Sequence, residues 1–240
     1  MTIVPSFDPL DAEGLNMQAV FNLADLPEQI RCDLAEQIEN FSDYRQLLLI
    51  GHGGRRMWQA VQASQFRDAN DPIDSFAVDR LTFWFADNYP SCDYELIYPD
   101  RQRVVPLQAI GELAGWHHSS PFRIGINQLW GSWFAYRLAV LSESDFEVSE
   151  KMKLSSPCDT CSEKPCLTAC PADALQCGDF SLKRCINYRL SSGRLESDSS
   201  CRNQCLARLA CPVALEHRYT MAQINYHYGR SMLTIEEYYR

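Results

Sequence analysis

Basic residues are scarce in this chain. Lys and Arg number 22 against 31 Asp and Glu, for a net charge of −9. A surface of that sign repels a phosphate backbone, so nucleic acid is not an expected partner. Long apolar runs are missing too. Leu47-Leu48-Leu49-Ile50 is a clear aliphatic run, far short of the ~20 residues that a membrane-spanning helix needs. The opening stretch MTIVPSFDPLDAEG is neither basic nor continuously apolar and does not read as a signal peptide. There is no internal repeat, no low-complexity segment, no P-loop and no dinucleotide fingerprint. These absences predict a cytoplasmic protein with no membrane span. Composition argues against disorder, since 240 residues that are 46% hydrophobic can bury a core.

What the chain does have is cysteine, unevenly placed. Only Cys32 and Cys92 precede residue 150; the remainder of the 11 fall between 158 and 211. In a reducing compartment such usage points to metal or redox chemistry more than to disulfides. The charged, Ser-rich stretch SESDFEVSEKMKLSSP (142–157) reads as a linker. Two domains are expected, 1–150 and 151–240, the second ending in a C-terminal helix.

The first part mixes helix and strand signals. Asp25-Leu26-Pro27-Glu28 resembles a capping box, and Ile30, Leu34, Ile38 and Phe41 follow at helical spacing. Residues 46–50 read as a buried strand broken by Gly51-His52-Gly53-Gly54, a tight turn or a phosphate cradle. Helices are expected from Arg55, from Ile73 to Trp84, and from Pro106 to Ala114 before Gly115. Tyr94–Tyr98 and Trp133–Leu141 read as strands. The pattern predicts an α+β fold built as a three-layer α/β sandwich.

The cysteines form a ligand pattern. The first group is Cys158-x2-Cys161-x4-Cys166-x3-Cys170-Pro171, followed by Cys185, Cys201, Cys205 and Cys211-Pro212. Eight soft thiolates suffice for two [4Fe–4S] clusters. In two-cluster ferredoxins the cysteine before proline serves the other cluster. One cluster then takes Cys158, Cys161, Cys166 and Cys211; the other takes Cys170, Cys185, Cys201 and Cys205. The four residues between Cys161 and Cys166, where the usual run has two, demand a bulged loop. Cys177 is left over as a small buried hydrophobe. Structural zinc is the alternative, but zinc sites commonly pair two CxxC units and only one is present.

Two longer matches extend this pattern. Ala114-Gly115-Trp116 and Gly131-Ser132-Trp133 precede the cysteine run, and Lys183-Arg184-Cys185-Ile186-Asn187-Tyr188 lies within it. This layout resembles the epoxyqueuosine reductases and the corrinoid reductive dehalogenases. Asp71-Pro72-Ile73-Asp74 and Trp133-Phe134-Ala135-Tyr136-Arg137 also resemble segments of the CblC-type cobalamin-processing proteins, which lack clusters. The resemblance implies a nitroreductase-like first domain that binds cobalamin base-off, followed by a two-cluster ferredoxin-like module that feeds electrons to cobalt. It implies cofactor contacts from His117, Gly131, Ser132, Trp133 and Arg137. The chain departs from the reductases where they place an acid before the turn helix. Arg103-Val104-Val105 stands there, with Asp100 the nearest carboxylate. His117-His118 replaces their Gly-Lys-Asn, and no counterpart of their tRNA-holding helical tail is expected.

Each candidate also has a plainer reading. Adjacent histidines rarely face one site, so at most one of His117 and His118 supplies a proton or a cobalt ligand. Arg137, inside an apolar strand, needs a buried partner, either a carboxylate or an anionic cofactor group. Trp130, Trp133 and Tyr136 line a cofactor cavity or simply pack. The expected function is an iron–sulfur oxidoreductase that passes electrons to a corrinoid, as cofactor or as substrate. An external donor such as a flavodoxin or ferredoxin reductase would supply it. The alternatives are a ferredoxin-type carrier with a docking domain and a flavin-dependent reductase holding FMN.

Overall fold

The computed structural model describes residues 2–176, 179–191 and 201–239. Cys177 lies outside the described residues. The chain divides into two compact units. Met1–His117 and Phe134–Lys153 form the first; His118–Trp133 and Leu154–Arg240 form the second. In chain order the first unit contributes α1 (Asp8–Ala12), β1 (Met17–Asn22), α2 (Glu28–Ala35), β2 (Gln46–Gly53), α3 (Arg56–Ala63), α4 (Pro72–Asn88), β3 (Tyr94–Tyr98) and α5 (Leu107–Leu113). The second adds a short hairpin, β4 (His118–Ser119) and β5 (Gly125–Ile126), before β6 (Phe134–Ser142) rejoins the first. The second unit then runs through α6 (Pro157–Thr160), α7 (Pro165–Thr168), α8 (Leu182–Ser191), α9 (Leu206–Ala210) and α10 (Met221–Tyr239). The fold is mixed α+β.

The first unit is organised by an antiparallel four-stranded sheet in the order β1-β2-β6-β3. Every residue of β2 is buried. Leu48 sits opposite both Val20 of β1 and Val140 of β6, so apolar pairs stack across the sheet's centre. α4 packs on β6 and buries Ile73, Phe76, Ala77, Leu81, Trp84 and Phe85. Pro72 at its first turn costs no hydrogen bond, because that N–H would have no helical partner. Trp84 anchors the N-terminal segment: its ring stacks on Phe7 at 5.1 Å and its Nε1 donates to the Ser6 carbonyl at 2.8 Å.

Three local expectations are corrected. The capping box does not form. Asp25 ends a 3₁₀ turn (Leu23–Asp25) and its carboxylate accepts from Asn22 Nδ2 at 2.9 Å, while α2 starts after Pro27 with no side-chain cap. Gly51-His52-Gly53 does not break the strand. β2 continues through Gly53 with a register irregularity between Ile50 and Gly51. A Cβ on Gly51 would sit 2.9 Å from the Ala135 carbonyl, so glycine is what permits the close approach at this bulge. Asn16 stands in for a missing strand partner, its Oδ1 accepting from Gly53 N at 2.8 Å and its Nδ2 donating to Gly53 O at 3.3 Å.

The third correction concerns 142–157, whose first twelve residues are docked rather than free. Gln46 Nε2 donates to the Phe146 carbonyl at 2.8 Å, and Gln46 Oε1 accepts from Phe146 N at 2.8 Å and Ser144 Oγ at 2.7 Å. Phe146 is buried against Trp84 and Tyr89, and Met152 N donates to Ala114 O at 3.0 Å. A charged composition hid one large apolar anchor and a buried glutamine that satisfies its backbone.

The second unit has little sheet. β4 and β5 form a two-stranded ladder, and α6, α7 and α9 are only four, four and five residues long. Its main apolar cluster joins Phe122, Ile126, Leu175 and Ala207 to Cys166 and Cys211, with Cys158, Cys170 and Cys205 packed around it. Ile186 of α8 meets Met232 and Ile235 of α10 in a smaller cluster. Among the described residues no helix is long and apolar enough to cross a membrane.

Candidate metal centre

The second unit gathers its thiols into two groups. The Ser156 hydroxyl accepts from Cys158 N at 3.3 Å and starts α6, which carries Cys158; Cys161 follows at its C-terminus. The chain then bulges through Ser162–Pro165. Lys164 there takes a left-handed conformation (φ 40°) that lets α7 begin at Pro165 and present Cys166. This is the loop that the extra residues between Cys161 and Cys166 demanded. Cys211 arrives from far along the chain, at the C-terminus of α9. A cavity of about 40 Å³ is lined by Cys158, Cys161, Cys166 and Cys211, with Phe122 and Ile126 among its apolar walls.

Electrostatics separates the same sets. Burial pushes the Cys158 thiol up, and Cys211 and Cys161 push it further. Cys166 is raised by burial and then by Cys211, Cys158 and Cys161. Burial also raises Cys211, opposed by a Val213 backbone hydrogen bond and by the Arg218 and Arg208 charges. In the other set, burial with Cys205, Cys201 and Cys170 pushes Cys185 up to about 11, against the pull of Arg189. Cys201 is raised by burial and by Cys205 and Cys170, with a Leu206 backbone hydrogen bond and Arg189 opposing. The thiols thus fall into Cys158/Cys161/Cys166/Cys211 and Cys170/Cys185/Cys201/Cys205. All described cysteines are free.

Among the described residues no group of three or more His, Cys, Asp or Glu could hold a metal ion as placed. One tetrahedral zinc with Zn–S of 2.3 Å would draw its four sulfurs to about 3.8 Å from one another. A cubane binds each thiolate on a separate iron and leaves the sulfurs further apart. Soft donors, four to a set, fit that larger group, and the Cys158/Cys161/Cys166/Cys211 set lines an apolar-walled cavity.

The other candidate residues divide between the units. His117 and Arg137 belong to the first; Gly131, Ser132 and Trp133 belong to the second. His117 is buried, with Nδ1 3.2 Å from the Tyr136 hydroxyl. The Tyr136 phenol is raised well above its ordinary range by burial, and further by Glu112. Gly111 makes room for that tyrosine, since a Cβ there would lie 2.0 Å from its hydroxyl. His118 lies on β4 of the second unit, with a buried Nε2 that has no partner among the described residues. Arg137 Nε donates to Nδ1 of buried His52 at 2.9 Å. Tyr98 lies in the same neighbourhood. Its phenol is raised by burial, lowered by Arg137 and raised by Asp74.

Gly131-Ser132-Trp133 forms a seat. Gly131 has φ 58°, and a Cβ on it would sit 2.5 Å from the Val213 carbonyl, two residues past Cys211. Ser132 is fully buried and accepts from Arg208 through both Oγ and its backbone oxygen. Trp133, also fully buried, packs its ring on Tyr219 and lies 4.3 Å beneath the Arg208 guanidinium. Sequence reasoning missed His52 as a core partner and Arg208 altogether. The signal for Arg208 was an arginine inside the otherwise apolar LARLA between Cys205 and Cys211.

No protein family matches the chain, and no curated protein matches it. Solved structures do. An epoxyqueuosine reductase from Bacillus subtilis superposes with a TM-score of 0.53 at 15% identity, over 89% of this chain and 66% of that one. An epoxyqueuosine reductase bound to a modified tRNA-Tyr stem loop gives 0.55 at 14% identity, over 91% and 67%. A C. elegans B12-trafficking protein CblC reaches 0.37 at 16% identity, over 59% and 67%. The likeness to the reductases is one of fold, and this chain spans about two thirds of their length.

Proposed function

We propose that this chain is an iron–sulfur oxidoreductase that passes electrons through two [4Fe–4S] clusters to a corrinoid. The observation that carries this reading is the cavity lined by Cys158, Cys161, Cys166 and Cys211, which joins a thiol from the end of the cysteine run to three from its start. The first unit is then a nitroreductase-like domain, and the second a two-cluster ferredoxin-like module. The corrinoid assignment rests on the segments around Asp71–Asp74 and Trp133–Arg137, and on a fold shared with redox enzymes. Clusters supply single electrons; the protein's own part is to hold the thiolates, exclude water from them and position the acceptor. An external donor delivers the electrons. A second reading, favoured by the match to the tRNA-bound reductase, makes a modified tRNA stem loop the substrate. The net charge of −9 weighs against it, and weak, salt-sensitive stem-loop binding is what the corrinoid reading expects.

Metal and sulfide analysis tests the cluster assignment. Anaerobically loaded protein should contain about eight iron and about eight acid-labile sulfide per chain. Reduction should yield EPR signals from two interacting clusters. About one zinc per chain with no sulfide would overturn the reading.

A further inference from the structure

Arg208 is a buried cation in an acidic chain. It is 7% exposed on α9. Among the described residues its partners are the Ser132 hydroxyl and carbonyl, the rings of Trp133 at 4.3 Å and Tyr219 at 5.2 Å, and the Tyr228 hydroxyl. None of them carries a formal charge. Aromatic faces and dipoles offset part of the cost of burying a guanidinium, but they leave its charge uncompensated. Arg208 is three residues before Cys211, and its backbone oxygen accepts from Cys211 N at 3.2 Å; the Arg218 charge and then the Arg208 charge act on that thiol. Four neutral thiols do not balance it. Four thiolates on a cubane do, because the complete cluster is anionic and becomes more so when it gains an electron.

We propose that Arg208, seated by Ser132 and Trp133, is a built-in counter-charge of the Cys158/Cys161/Cys166/Cys211 cluster and raises its reduction potential. The inference rests on the cluster reading above. It also gives Gly131-Ser132-Trp133 a role: Gly131 admits the chain just past Cys211, and the next two residues hold the cation in place. Arg208 is a positioning and tuning residue, not a cluster ligand. A positive charge favours the more negative, reduced form, so removing it must lower the potential of this cluster. The added electron comes from the reductant in the titration, and no proton is required.

The test is an EPR-monitored redox titration of the anaerobically loaded full chain. Cys211→Ala first identifies which signal belongs to this site. Arg208→Gln should then move that signal to more negative potential, by about tenfold in the reduction equilibrium, or ~59 mV for one electron. The other signal should move less. Arg208→Lys should recover most of the shift, which a purely packing role would not predict. Unchanged potentials in fully loaded Arg208→Gln protein would overturn the proposal, as would equal shifts in the Gln and Lys variants. Should Arg208→Gln fail to load, Arg208→Lys decides: a loaded site at near-native potential supports the counter-charge, and failure of both points to packing instead. Wild-type protein that takes up no iron and sulfide contradicts the cluster reading itself, and this inference with it.

Discussion

Cys211→Ala protein, loaded anaerobically, should hold about four iron and about four sulfide per chain, half the wild-type content. The cluster that survives should be the one on Cys170, Cys185, Cys201 and Cys205. The reason is spatial. Cys211 shares a cavity with Cys158, Cys161 and Cys166 and is not among the thiols that raise Cys185 and Cys201. Cys205→Ala should do the converse, although Cys205 and Cys211 bracket the same five-residue helix. A nearest-in-sequence pairing predicts the opposite outcome, with Cys211→Ala sparing the Cys158 site. EPR of the two single variants separates the alternatives. If either variant is insoluble, Cys161→Ala tests the first set alone.

Stripping the metal should unfold the second unit and leave the first largely intact. The units differ in what holds them together. The first has a four-stranded sheet whose central strands are buried, with α4 laid across it. The second relies on α6, α7 and α9, helices of four or five residues, far below the length at which a helix persists alone. Its main cluster is rich in cysteine, so on the cluster reading much of its core is ligand. Such a module gains its folding energy from the metal. Limited proteolysis of chelator-treated protein should therefore cut rapidly beyond Leu154 and spare the first unit. Equal protection of both units without iron would contradict this account.

The parts of the fold that were legible in sequence were those set by local chemistry. Leu47–Ile50 and Leu138–Leu141 lie on the central strands, where both faces are covered and apolar residues are continuous. The cysteine spacings suggested the two groups in which the thiols lie, because spacing and the Cys-Pro endings are local features. β1 escaped notice, because MQAVFN carries neither clean alternation nor turn signals at both ends. The docking of 142–153 depends on Gln46, about a hundred positions earlier, and no local pattern announces such a partner. Gly131, Ser132 and Trp133 were noticed as a motif, but their use became visible only when Arg208 and Val213 were placed against them.

The central claim is that the clusters serve a corrinoid. Anaerobic titration of cluster-loaded protein with hydroxocobalamin, followed by reduction and EPR, tests it most directly. The account predicts saturable binding at one corrinoid per chain and a base-off cob(II)alamin signal that grows as the clusters are reoxidised. Two intact clusters with no cobalamin binding would contradict it, and a yellow, fluorescent supernatant on denaturation would then identify a flavin reductase in its place.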